Sequence, residues 1–308
     1  MKSEIEAFRI ICMFGIVWFH SGVGVCRVVA HGGLMFFIII SVYFAVTSRR
    51  RHSLAERAGR LLVPCLAWSV FYGLIFYVRR GHVFPENYTL PSMVLATPSI
   101  HLWFLPFIFL VLVGIDRLRN IFEKPAVPAL AGAAAIVSLL SAPLWQDMHL
   151  ADPFTQYLYS VPAVFIGIFF GCYGRGDPLA GRLISATIVL SLLVLICRFH
   201  SEVGTLYMVG IVPCIFLFYS NVILAGNKTL FLLSSSVFGI YLLHPFWQMF
   251  FRFIGVTSCF LPIATFVLSM ASVLLVKELF PGGIAAVWRP VRNRWHLPLV
   301  RPASAQRP

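Results

Sequence analysis

In the stretch RIICMFGIVWFH, residues 9–20, ten mostly apolar residues separate an arginine from a histidine. Histidine ionises closest to neutral pH, so His20 is suited to take a proton from a weak nucleophile such as a hydroxyl. Arg9 is a permanent cation suited to anions. On an α-helix, eleven positions turn through roughly 1100°, three turns plus about 20°, and rise about 16 Å. Arg9 and His20 are therefore expected on one face, half a bilayer apart. Glu6, three residues before Arg9, shares that face and can pair with it. A plainer reading also fits, with Arg9 as an orientation anchor and His20 as an interior histidine whose hydrogen bonds are met.

Three further groups carry chemistry. Arg57 and Arg60, in RRRHSLAERAGRLLVP at 49–64, are spaced i,i+3 and point from one helix face. Paired guanidinium groups can grip phosphates, although a basic loop lying on lipid headgroups has the same composition. His101 and Trp103, in SIHLWFLPFIFL at 99–110, are placed at the outer edge of an apolar run. An interfacial aromatic belt accounts for Trp103 but leaves His101 unexplained. Tyr241 and His244, in SSSVFGIYLLHPFW at 234–247, precede Pro245 and read most simply as a kinked interfacial segment.

The elements that hold these groups follow from composition. Of 308 residues, 59% are hydrophobic and 11% charged, with a mean hydropathy of +0.88. Soluble domains carry about 25% charged residues, so this composition points to a polytopic membrane protein. Apolar runs suited to spanning helices fall near 8–27, 33–48, 60–78, 101–115, 126–143, 155–173, 183–199, 205–222, 230–250 and 260–280. The expected fold class is all-α, a helical bundle of about ten transmembrane helices. With the N-terminus on the inner side, seventeen Lys and Arg fall inside and five outside, which places both termini in the cytoplasm.

Residues 1–285 are expected to form the transmembrane domain. Residues 286–308 are expected to form a basic, disordered cytoplasmic tail that can lie on anionic lipid. The net charge of +13 is read as loop charge, and no nucleic-acid partner is expected. Glu4, Glu6 and Arg9 sit close to the first apolar run, so that run is not expected to be a removable signal peptide. The seven cysteines are odd in number and lack a CxxC, which argues against a disulfide framework or a metal site. Ten spans with buried His and Arg also allow a transporter or flippase for a lipid-linked glycan. No internal repeat of the kind found in many transporters is visible.

Taken together, the motifs resemble the acyltransferase-3 family, polytopic O-acyltransferases of bacterial surface polysaccharides. The N-terminal signature is E-A-F-R-IICMFGIVWF-H, with Glu6, Arg9 and His20. FFIIISVYF keeps Ser41 but has Val42 where the family has glycine. Arg57-Ala58-Gly59-Arg60, HLWFLP at 101–106 and FGIYLLHPF at 238–246 also match, in order. The resemblance implies a multi-pass protein of the bacterial cytoplasmic (inner) membrane with no bound cofactor. It would move an acyl group, in the first instance acetyl, from cytoplasmic acyl-CoA (acetyl-CoA) to a glycan hydroxyl. It implies catalytic roles for His20, Arg9 and Glu6 and donor binding by Arg57 and Arg60. Acceptor-side or structural roles fall to Ser41, His101, Trp103, Tyr241 and His244. Ser41, Tyr43 and Tyr241 are equal candidates for a covalent nucleophile.

Overall fold

The computed structural model describes residues 3–24, 27–148, 150–173, 178–199, 202–219 and 227–280. The expected tail, 286–308, lies outside the described residues. Among the described residues, ten principal helices carry the fold: α1 Ser3–Ser21, α2 Gly33–Thr47, α3 Leu54–Arg80, α4 Phe104–Leu118, α5 Val127–Leu140, α6 Phe154–Tyr173, α7 Pro178–Phe199, α8 Glu202–Tyr219, α9 Val237–Phe253 and α10 Phe260–Leu279. Each coincides with one of the apolar runs, and no strand occurs among the described residues.

Among the described residues, six helical segments are long and apolar enough to cross a membrane, or seven if the bent pair Lys228–Ser234 and Val237–Phe253 is one span. Helices α5 and α8 are apolar but shorter. Helix α1 carries Glu4, Glu6 and Arg9 in its first two turns and falls outside that set. The chain is thus an all-helical protein with several membrane-spanning helices.

Local chemistry sets the ends of α3. Ser53 and Glu56 form a reciprocal capping box, with Glu56 N–H donating to Ser53 Oγ at 3.1 Å and Ser53 N–H to the Glu56 carboxylate at 3.0 Å. Gly81, at φ 78°, closes the helix in the left-handed conformation that glycine adopts without strain. The resulting 27 residues rise about 40 Å, enough to span a bilayer.

Between apolar helices in lipid, association depends on close backbone approach at small residues. Helices α2 and α6 pack in this way, in parallel. A Cβ on Gly167 would lie 2.7 Å from Val42 Cβ and 2.8 Å from the Ile39 carbonyl oxygen, and a Cβ on Gly171 would lie 2.7 Å from Val46 Cβ. The glycine absent beside Ser41 is therefore supplied by the opposite helix, and Val42 is fully buried against it. Gly167→Ala should destabilise the fold by about 1–3 kcal/mol through overpacking. A lowered melting temperature in detergent checks this, and an unchanged one would refute the contact.

Helices α1 and α2 run antiparallel, with a Cβ on Gly15 meeting the Ala30 carbonyl oxygen at 2.8 Å and Phe8 stacked on Phe36 at 5.8 Å. Helices α1 and α9 run in parallel and are tied at both ends. Ser234, just before α9, donates to the Glu6 carboxylate. At the far end Arg252 donates to the Ser21 carbonyl at 2.8 Å, capping the C-terminus of α1 with a cation. The break in the α9 segment falls at 234–237, whereas Pro245 lies inside a continuous helix. The expected kink at Pro245 is therefore displaced to the serine run.

Candidate functional site

Two polar regions lie at opposite ends of α3 and α4. At the N-terminal end of α3, Arg57 Nε donates to Asp116 Oδ2 at 2.8 Å. Arg119 reaches the same carboxylate at 3.4 Å and donates to the carbonyl oxygens of Ala45, Ser48 and Arg50. Asp116 thus ties the start of α3 to the end of α4 and, through Arg119, to the end of α2. A cavity of about 250 Å³ opens beside it, lined by Arg51, His52, Ser53, Leu54, Arg57, Val113, Asp116 and Arg117. Arg51 donates to Asn120 at 2.6 Å. Burial, together with the charges of Arg57 and Arg60, holds His52 below the usual histidine pKa, with Glu56 opposing them. His52 therefore enters the cavity wall as a neutral ring at pH 7.

Arg57 lines this cavity and Arg60 does not. The i,i+3 spacing placed both on one face, but the neighbouring helix α4 meets only the first. Arg60 is exposed and makes no hydrogen bond or ion pair among the described residues.

At the other end, three histidines converge from three elements. The ring centroids of His20 on α1 and His244 on α9 lie 5.3 Å apart. His101, on the single turn Ile100–Trp103 before α4, lies 5.5 Å from His244. His101 Nδ1 is 2.8 Å from Ser99 Oγ. Tyr241 donates to the His101 carbonyl and Tyr72 to the Leu242 carbonyl at 2.8 Å. Tyr241 therefore holds backbone in place, and its hydroxyl is already engaged.

Trp103 departs from the interfacial expectation. It is buried against Phe107 and Tyr157, because the turn at 100–103 folds the ring into the bundle. Ser41 sits partly buried mid-way along α2, with no side-chain hydrogen bond among the described residues. The Tyr43 ring packs on Phe218 at 4.8 Å.

Glu6 and Arg9 pair at 2.8 Å, as their spacing predicted, at the end of α1 remote from His20. The structure thus groups the candidates into Glu6 with Arg9, Arg57 with Asp116, and His20 with His101 and His244. Sequence reasoning missed Asp116, Arg51, His52 and Arg117. It also missed His31, whose Nδ1 lies 2.9 Å from the Tyr159 hydroxyl and whose ring packs 4.4 Å from Phe19. An aspartate closing the apolar run FLPFIFLVLVGID was a visible signal for Asp116.

Residues 2–277 match the family model of acyltransferase-3, described as an acyltransferase domain. The chain belongs to the acyltransferase-3 family. The match runs from α1 almost to the end of α10, so all three groups of candidate residues fall within it. No curated protein and no solved structure matches the chain. Family and apolar helices together make it a multi-pass membrane acyltransferase.

Proposed function

We propose that this acyltransferase moves an acyl group, in the first instance acetyl, from acyl-CoA at the cytoplasmic face of a bacterial inner membrane to a hydroxyl of a cell-surface or lipid-linked polysaccharide. The observation that carries this reading is the separation of two unlike sites by one pair of helices. The guanidinium-lined cavity suits the phosphates of a nucleotide-bearing donor. The imidazole cluster suits a hydroxyl acceptor. From Arg57 to Tyr72, which packs 5.1 Å from His101, α3 rises about 22 Å. The flexible pantetheine arm of an acyl-CoA is the part of the donor suited to cover such a distance. His20 accepts the proton of the acceptor hydroxyl as its oxygen attacks the thioester carbonyl.

Purified protein in lipid, given radiolabelled acetyl-CoA and polysaccharide acceptor, should label the polysaccharide. Absence of transfer with every acyl-CoA and polysaccharide offered would overturn the reading. A flippase for lipid-linked glycan is the second reading, favoured by the 53° break between Lys228–Ser234 and Val237–Phe253, a feature of transporter helices. A flippase would move glycan without consuming acyl-CoA. Arg57→Ala should weaken acyl-CoA binding by roughly tenfold or more, the scale of one charge-assisted contact of about 1.5–3 kcal/mol. Arg60→Ala, outside the cavity, should weaken it less. Calorimetric titration checks this, and equal losses would contradict the cavity as the donor site.

A further inference from the structure

His244 is fully buried. Its Nδ1 lies 2.7 Å from the Tyr241 carbonyl oxygen and 3.2 Å from that of Ile240. Carbonyl oxygens only accept, so Nδ1 carries the hydrogen, and in the neutral ring the lone pair is on Nε2. That nitrogen is buried and has no hydrogen-bond partner among the described residues. A buried acceptor left unmet costs folding free energy, and its retention calls for a donor.

Several donors nearby are already engaged, whereas His101 Nε2 and the Trp247 indole nitrogen, like His244 Nε2, have no hydrogen-bond partner among the described residues. Tyr72 and Tyr241 donate to backbone carbonyls. The Gln248 amide donates to the Val17 carbonyl at 2.8 Å. Arg252 donates to the carbonyls of His20 and Ser21. His101 is held at Nδ1 by Ser99, and its ring stands edge-on to His244 at 76°, unlike the more nearly parallel His20 ring. The His20 ring is tilted 43° to His244, is only half-buried, and makes no hydrogen bond among the described residues. Hydrogen bonds within catalytic groups are often long before substrate binds and tighten afterwards.

We propose that His244 is a positioning residue for His20: its Nε2 accepts the N–H of one His20 nitrogen and so presents the other nitrogen, with its lone pair, to the acceptor hydroxyl. This rests on the reading of His20 as the base. In the transfer step the hydroxyl proton passes to the free nitrogen of His20 while the oxygen bonds to the thioester carbonyl carbon. The carbon–sulfur bond then breaks, and the departing thiolate takes that proton from His20. His244 stays neutral throughout. Its burial keeps it from touching substrate, which distinguishes it from His20. A base oriented by a third group follows the logic of catalytic triads.

Two substitutions separate the possible roles. His244→Asn keeps a donor near Nδ1 for the helix carbonyls and loses the acceptor at Nε2. His244→Gln places an acceptor oxygen near Nε2. Turnover of acetyl transfer should fall on the order of 10²-fold in the Asn variant and be largely recovered in the Gln variant, with acyl-CoA affinity equal in both. Wild-type turnover with Asn would make the ring a simple cap of the helix carbonyls and overturn the proposal. Collapse of both variants would make His244 itself the proton acceptor, which also overturns it. In parallel, ¹⁵N-histidine spectra should show one His20 tautomer in the wild type and the Gln variant and a mixture in the Asn variant. A single tautomer in all three would overturn the pairing. If the wild type transfers no acyl group, the functional reading fails, while the spectra still decide the positioning role.

Discussion

Replacing His20 by alanine is expected to lower acyl transfer by about 10²–10⁴-fold, the range supplied by a positioned general base. A sugar hydroxyl is almost wholly protonated at neutral pH and attacks a thioester slowly unless its proton is accepted as the bond forms. The substitution should leave the surrounding structure in place. Arg252 caps the backbone carbonyls of His20 and Ser21, not the imidazole, and Gln248 holds the Val17 carbonyl. The end of α1 thus keeps its position without the ring. Acyl-CoA affinity should also be unchanged, because the cavity beside Arg57 lies at the opposite end of α3. The loss should appear in turnover. Initial rates with labelled acetyl-CoA, normalised to folded protein, measure it. Full activity would remove His20 from the chemistry.

Helix positions were legible in the sequence because lipid demands long apolar runs whose backbone polar groups are met within each helix. The Glu6–Arg9 pair was legible for a similar reason, since i,i+3 spacing alone brings the two side chains together. Contacts between helices were less legible. The cluster of His20, His101 and His244 joins three segments up to 224 residues apart, and helical phase along one segment cannot show which segments meet. Phase likewise placed Arg57 and Arg60 together, but it did not reveal that, of these two, Asp116 across the helix gap pairs with Arg57. Trp103 illustrates the same limit. An aromatic residue at the edge of an apolar run fits an interfacial belt, and only the turn at 100–103 turns it inward. The substitution of Val42 for glycine had its physical answer on another helix, at Gly167.

Glu6→Ala is expected to destabilise the protein by about 3 kcal/mol, the lower end of the range for breaking a buried ion pair. Glu6 is 3% exposed, and its carboxylate accepts from both Arg9 and Ser234. Arg9 is 32% exposed, so its guanidinium can turn outward when Glu6 is removed, which limits the loss. Arg9→Ala should cost more, because it leaves a buried carboxylate with Ser234 as its remaining partner among the described residues. The double variant should then recover part of the sum, as expected for groups that act as a pair. The neighbouring serines extend the tie: Lys277 on α10 donates to Ser235 Oγ at 2.9 Å and Ser236 Oγ at 3.1 Å. The serine run at the helix break therefore fastens both α1 and α10 to the start of α9. With Arg252 fixing the far end, these contacts set how deep His20 lies against His244. Glu6 thus acts on the chemistry by placing α1, and the folded fraction of Glu6→Ala should retain far more turnover per molecule than His20→Ala. Thermal melts in detergent read the stability, and rates per folded molecule read the second effect. Equal turnover losses in the two variants would instead assign Glu6 a direct part in the reaction.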